Sequence, residues 1–103
     1  MRRPEAVLAL KFAEHLARGE LFDAALAARA LGRPTEAAAL FDQANHYAEA
    51  AACWQEAADY RRALESAQRV PPDHALYKSC VRLAIDASEK LAHVDRTFDG
   101  FVA

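Results

Sequence analysis

What this chain lacks is anything that breaks a helix or assembles a reactive centre. Its 103 residues include three glycines and four prolines. The glycines, Gly19, Gly32 and Gly100, stand alone. A phosphate-cradling loop needs several glycines in a short run so that backbone N–H groups can converge, so that motif is excluded. The two cysteines, Cys53 and Cys80, lie 27 residues apart, outside any C-x-x-C and without a histidine pair at ligand spacing. No metal or redox role is written in them, and both are expected to behave as small buried hydrophobes. The serines, Ser66, Ser79 and Ser88, form no G-x-S-x-G, and Glu14-His15 lacks the second histidine of H-E-x-x-H. His15, His46, His74 and His93 are dispersed near expected helix ends and polar faces, where solvation is their expected role. Carboxylate neighbours such as Asp42 with Glu49, and Glu56 with Asp59, are expected on solvated helix faces. No catalytic residue, cofactor or metal ligand is therefore expected, and the chain is read as non-enzymatic.

Charge of one sign is also missing. The net charge is -2 and the pI is near 6.1. No basic field is available to displace counterions from phosphate, and Arg2 with Arg3 do not make a nucleic-acid arm. No segment approaches 18 consecutive apolar residues, the minimum for a membrane-spanning helix. Glu5, Lys11, Glu14 and His15 interrupt the first twenty residues, which excludes a signal-peptide core. The expected protein enters no membrane, binds no nucleic acid and resides in a reducing cytoplasm.

What is abundant is alanine, at 26 of 103 residues. Alanine has the best intrinsic helix propensity and loses no side-chain entropy on folding. The alanines sit in a frame of thirteen residues. Phe41-x-x-Ala44-x-x-Tyr47-x-x-Ala50-Ala51 is followed by Trp54-x-x-Ala57-x-x-Tyr60-x-x-Ala63-Leu64. One unit earlier the frame holds Ala28, Leu31, Pro34, Ala37 and Ala38; one unit later it reaches Ala67, Val70 and Leu76. A fixed internal period marks a repeat architecture.

The punctuation keeps the same step. Gly19, Gly32 and Asn45 stand thirteen apart, and these residue types tolerate the left-handed conformation that ends a helix. The fourth slot holds Ala58, beside Asp59, and marks its turn less clearly. The pattern predicts helices over 5–18, 21–31, 35–44, 48–57, 60–69 and 74–91, with a seventh over 94–102. Val70-Pro71-Pro72 breaks the pattern because residues before proline avoid the helical region, and Asp73 is the expected N-cap of the sixth helix. Tight turns of about three residues make sequential helices antiparallel neighbours. The expected fold is all-α: antiparallel helix-turn-helix repeats stacked as a short right-handed solenoid of six to seven helices. Residues 1–103 form one domain in this reading, with a repeat core over about 20–70 and longer capping helices over 73–103. The apolar, abrupt end Phe98-Asp-Gly-Phe-Val-Ala103 predicts a longer parent chain.

The aromatic residues alternate with small ones, as interdigitating helices require. Phe41 and Trp54 are therefore expected in the core. Tyr47 and Tyr60 fall at helix starts, where a buried ring can keep its hydroxyl hydrogen-bonded near the turn.

The run Leu31-Gly-Arg-Pro-Thr-Glu-Ala-Ala-Ala-Leu-Phe-x-x-Ala-x-x-Tyr-x-x-Ala-Ala-x-x-Trp-x-x-Ala-x-Asp-Tyr-x-x-Ala-Leu resembles the tetratricopeptide-like α-solenoid superfamily. It is most similar to the short-helix variants found in trafficking coats and bacterial multidomain regulators. Leu31-Gly32 and the small residues Ala44 and Ala51 stand where the signature has its Leu-Gly and later alanines. The resemblance covers roughly residues 20–70. Two helices take 26 residues here, against about 34 in the standard repeat. The signature's aromatic and proline positions fall on Thr35 and Asp59. The resemblance implies a fold and a role in protein binding, and carries over no carboxylate clamp or other site residue.

Two functions follow from these expectations. The first is a protein–protein interaction scaffold (TPR-like) that binds a peptide or helix of another protein, with Arg29, Arg33, Gln43, His46, Gln55, Glu56, Asp59 and Arg62 as its exposed candidates. The second is a spacer or self-association domain that positions a neighbouring domain. It would pair copies through Val7, Leu8, Leu10 and Phe12 at one end, or Phe98, Phe101 and Val102 at the other.

Overall fold

A computed structural model describes residues 3–102, with side chains described through His93. Within these the chain folds as six helices and no strands: α1 (Pro4–Ala17), α2 (Leu21–Ala30), α3 (Pro34–Gln43), α4 (Tyr47–Glu56), α5 (Tyr60–Gln68) and α6 (Tyr77–Val102).

The thirteen-residue frame is a backbone fact. Gly19, Gly32, Asn45 and Ala58 all have positive φ, at 73°, 75°, 63° and 60°. Each ends a helix in the same way. The N–H of Glu20, Arg33, His46 and Asp59 donates to the carbonyl of His15, Ala28, Phe41 and Trp54, five residues back. The residue before each donates to a carbonyl three residues back. This is the Schellman motif, and it satisfies two of the carbonyls that a helix end leaves without partners. The residue after the left-handed one then serves as N-cap of the next helix. The fourth turn is thus as regular as the others although alanine holds its left-handed position.

Helix starts fall up to one residue earlier than the pattern predicts. Pro34 and Tyr47 are themselves first helical residues; proline is favoured there because its missing N–H would have had no partner. The larger departure is at the end. The segments 74–91 and 94–102 are one continuous helix, α6, and it begins at Tyr77. Asp73 does not cap it. Residues 71–76 form turns in which the N–H of His74 donates to the Pro71 carbonyl and the N–H of Leu76 donates to Nδ1 of His74, at 3.0 Å each. Leu76, which continued the repeat on paper, is exposed.

The core runs in register with the frame. Ala24, Ala37, Ala50 and Ala63 are fully buried, and so are Ala25, Ala38 and Ala51. The third buried line is Ala28, Phe41, Trp54 and Ala67. Small residues on two lines let the helices approach closely, and the third supplies the bulk that fills the space between them. Phe41 is fully buried and Trp54 is 5 % exposed, as expected of core residues. A second cluster joins Ala48, Ala51, Ala67, Val70 and Cys80 across α4, α5 and α6.

Each helix packs on the next in the chain, and α4 also packs on α6. Side-chain links resolve two layers. Arg29 of α2 pairs with Glu56 of α4, and Gln55 of α4 bonds Asp86 of α6. Ser66 of α5 bonds Asp42 of α3. The odd and even helices thus form separate rows, and the molecule measures 55 × 36 × 20 Å. Its radius of gyration is 16.0 Å, against about 13 Å for a compact chain of this length. Among the described residues no helix is long and apolar enough to cross a membrane.

Candidate functional site

The eight surface candidates do not form one patch. Arg29 and Glu56 are brought together: Nη2 of Arg29 donates to Oε1 of Glu56 at 2.6 Å. This bond raises the Arg29 pKa further, so the guanidinium stays charged. Both partners are partly exposed, and an ion pair in that setting stabilises by at most about 1 kcal/mol. Gln55 is half-buried and donates to Asp86 at 2.5 Å. Asp59 caps α5 by accepting from the N–H of Arg62, and Nη1 of Arg62 lies 3.3 Å from Oδ2 of Asp59. The Arg62 guanidinium also covers the Trp54 ring at 5.0 Å. Arg33 and His46 precede α3 and α4 and face Glu36 and Glu49 of their own helices. The His46 ring also stacks on Phe22, with centroids 4.3 Å apart. Gln43 is exposed near the end of α3. The candidates therefore divide among the even-helix face, the turns and the odd-helix face, and most are engaged within the chain.

Asp42 is where the expectation of a solvated carboxylate is corrected. Its Oδ2 accepts from Nε1 of Trp54 at 2.7 Å, and its Oδ1 accepts from the hydroxyl of Ser66 at 2.8 Å. One carboxylate thereby ties α3, α4 and α5 and satisfies the only polar atom of the buried indole. Tyr47 behaves as expected: its hydroxyl donates to Oδ1 of Asn45 in the preceding turn at 2.8 Å.

Two further groups bear on chemistry. Cys53 and Cys80 are free and buried. Burial pushes the Cys53 thiol up to about 11, although nearby Arg29 opposes the shift. Burial likewise raises Cys80. Such thiols are poor nucleophiles at neutral pH, because the thiolate is the reactive form. Donor atoms of His15, Glu20 and Asp23 lie within 4.8 Å of one another and could hold a cation. Nδ1 of His15 is 3.3 Å from Glu20, and Arg18 approaches the same carboxylate at 3.9 Å. The two acids sit at the start of α2, where negative charge already complements the unpaired N–H groups of the helix end.

Among the described residues a concavity lies between α5 and α6. It is an open groove of about 500 Å³. Ala67, Val70 and Cys80 are its buried floor, and Tyr77, Val81 and Ile85 stand along it. Ile85 is 57 % exposed and Val81 39 %. Within the stack the corresponding space beside α3 and α4 is taken by α5, which packs Ala63, Tyr60 and Leu64 into the main cluster. The α5–α6 groove is the equivalent space one repeat further on. None of the eight surface candidates lines this groove, and Ile85 is not among them. The available signal was that α6 carries a line to be buried, Cys80-Leu83-Ala87, and on the adjoining face a second line in which Val81 and Ile85 are apolar.

Of the apolar residues expected to pair copies, Phe12 packs against the main core and Leu10 is exposed. Phe98, Phe101 and Val102 lie outside the described side chains. Comparison of the chain with protein-family models, curated proteins and solved structures returns no match.

Proposed function

We propose that this domain is a non-catalytic interaction scaffold, a short tetratricopeptide-like solenoid that receives a helix or peptide of another protein. The observation that carries the reading is the α5–α6 groove. It is apolar, open along its length, and set where the architecture would place its next helix. An amphipathic helix laid there would bury its anchors at i, i+3, i+4 and i+7 against Val70, Tyr77, Val81 and Ile85. The period of the frame and the Leu31-Gly32 signature support the tetratricopeptide-like assignment. Two free, buried thiols fit a reducing cytoplasm.

The test is retention of proteins from a lysate of the source organism on three baits: the parent domain, an Ile85→Glu variant, and an Arg62→Glu/Gln43→Ala double variant. A protein held by the parent and the double variant but lost with Ile85→Glu places binding in the groove. Loss with the double variant alone moves binding to the odd-helix face. A bait that retains nothing refutes the scaffold reading for heterologous partners.

A further inference from the structure

We infer that the helix received by the groove is α6 of a second copy, paired antiparallel about a two-fold axis. This rests on the groove being a helix-binding surface and names its occupant.

Two lines of residues run along α6. Cys80, Leu83 and Ala87 face α4 and α5 and are buried or half-buried. Val81, Ile85, Ser88 and Ala92 are exposed on the adjoining face. Their steps of four, three and four residues are those of a coiled-coil seam. The seam forms one wall of the groove, so a helix laid along it also covers the groove mouth. At 26 residues, α6 is about 39 Å long and offers a seam that the short helices of the stack cannot.

Charge selects the occupant and its direction. Arg82 and Glu89 are exposed, flank the seam on one side and stand seven residues apart, so they occupy the same heptad position. Among the described residues neither has an ion-pair partner. If two copies of α6 run antiparallel with the two-fold between Ile85 and Asp86, Arg82 of each meets Glu89 of the other. Ile85 then lies beside its own counterpart, and Val81 lies across from the Ser88–Lys90 turn. A shift of one helical turn would break both ion pairs. The other end of the molecule is a poorer match, because Lys11 and Glu14 are exposed beside Leu10 on α1.

Sedimentation velocity and light scattering of the 103-residue chain across a wide concentration range test this directly. The expected mass is twice 11.3 kDa. Ile85→Glu is expected to give a monomer with an unchanged helical spectrum, since the side chain is mostly exposed. Arg82→Glu and Glu89→Arg are each expected to weaken the dimer by about tenfold or more by placing like charges together. The double swap Arg82→Glu/Glu89→Arg is expected to restore it. A monomer at every concentration, a dimer indifferent to Ile85→Glu, or a double swap no better than the single changes would overturn the inference. A monomer that still retains another protein in an Ile85-dependent way would remove the second copy alone and leave the groove as a binding site.

Discussion

The left-handed turn positions allow two opposite substitutions to be compared at equivalent points of one frame. Gly32 and Ala58 have nearly the same backbone, with φ of 75° and 60°, and the same pair of Schellman hydrogen bonds. A left-handed L-residue costs roughly 1–2 kcal/mol relative to glycine. Against that, alanine restricts the unfolded chain and recovers about 0.4–1 kcal/mol. Nothing lies within 4 Å of a Cβ built on Gly32, and Ala58 is exposed, so neither change alters packing. Gly32→Ala is therefore expected to destabilise by about 1 kcal/mol, and Ala58→Gly to stabilise by roughly 0.5–1 kcal/mol. For a domain of this size each kcal/mol moves the melting temperature by about 4–8 °C. Thermal melts followed by helical circular dichroism, with urea titrations to confirm an unchanged slope, would measure both. An Ala58→Gly variant that melts at or below the parent, at equal slope, would refute the claim that the fourth turn is strained.

Trp54→Ala is expected to cost about 3–5 kcal/mol through loss of the buried ring. Asp42→Ala is expected to cost roughly 1–3 kcal/mol because the Trp54 N–H and Ser66 hydroxyl lose their acceptor. Chemical denaturation of both variants checks these values, and an Asp42→Ala protein as stable as the parent would show the carboxylate to be dispensable. Cys53 predicts a pH effect. Its folded thiol is raised from 9.0 to about 11, so the unfolded chain ionises first as pH rises. The stability this group contributes is fully present below about pH 9 and is lost as pH climbs toward 11. The fall in melting temperature over that range should be shallower in Cys53→Ala than in the parent. Equal slopes would mean that the thiol ionises as freely folded as unfolded.

How much of this molecule is legible in its sequence depends on the range of the interaction involved. A Schellman turn closes between residues five apart, so its requirements are local. Gly19, Gly32 and Asn45 announce it by residue type, and Ala58 obeys it only because the frame on both sides leaves no other place for the turn. The buried lines through Ala50 and Trp54 are equally readable, because a period of thirteen returns a helix face to the same neighbour. Other features depend on partners far along the chain. Asp42 reads as a surface acid until Trp54 and Ser66, 12 and 24 residues away, deliver their donors to it. Asp73 reads as a helix cap, yet the Pro71–Leu76 turns delay α6 to Tyr77, where its ring reaches the cluster of Val70 and Cys80. The surface candidates are dispersed for the same reason: Arg29 meets Glu56 and Gln55 meets Asp86 across separations of 27 and 31 residues. Periodicity shows that α6 has apolar residues to bury. Only the packing of α4 and α5 decides that Cys80, Leu83 and Ala87 are the ones buried, and that Val81 and Ile85 remain along an open groove.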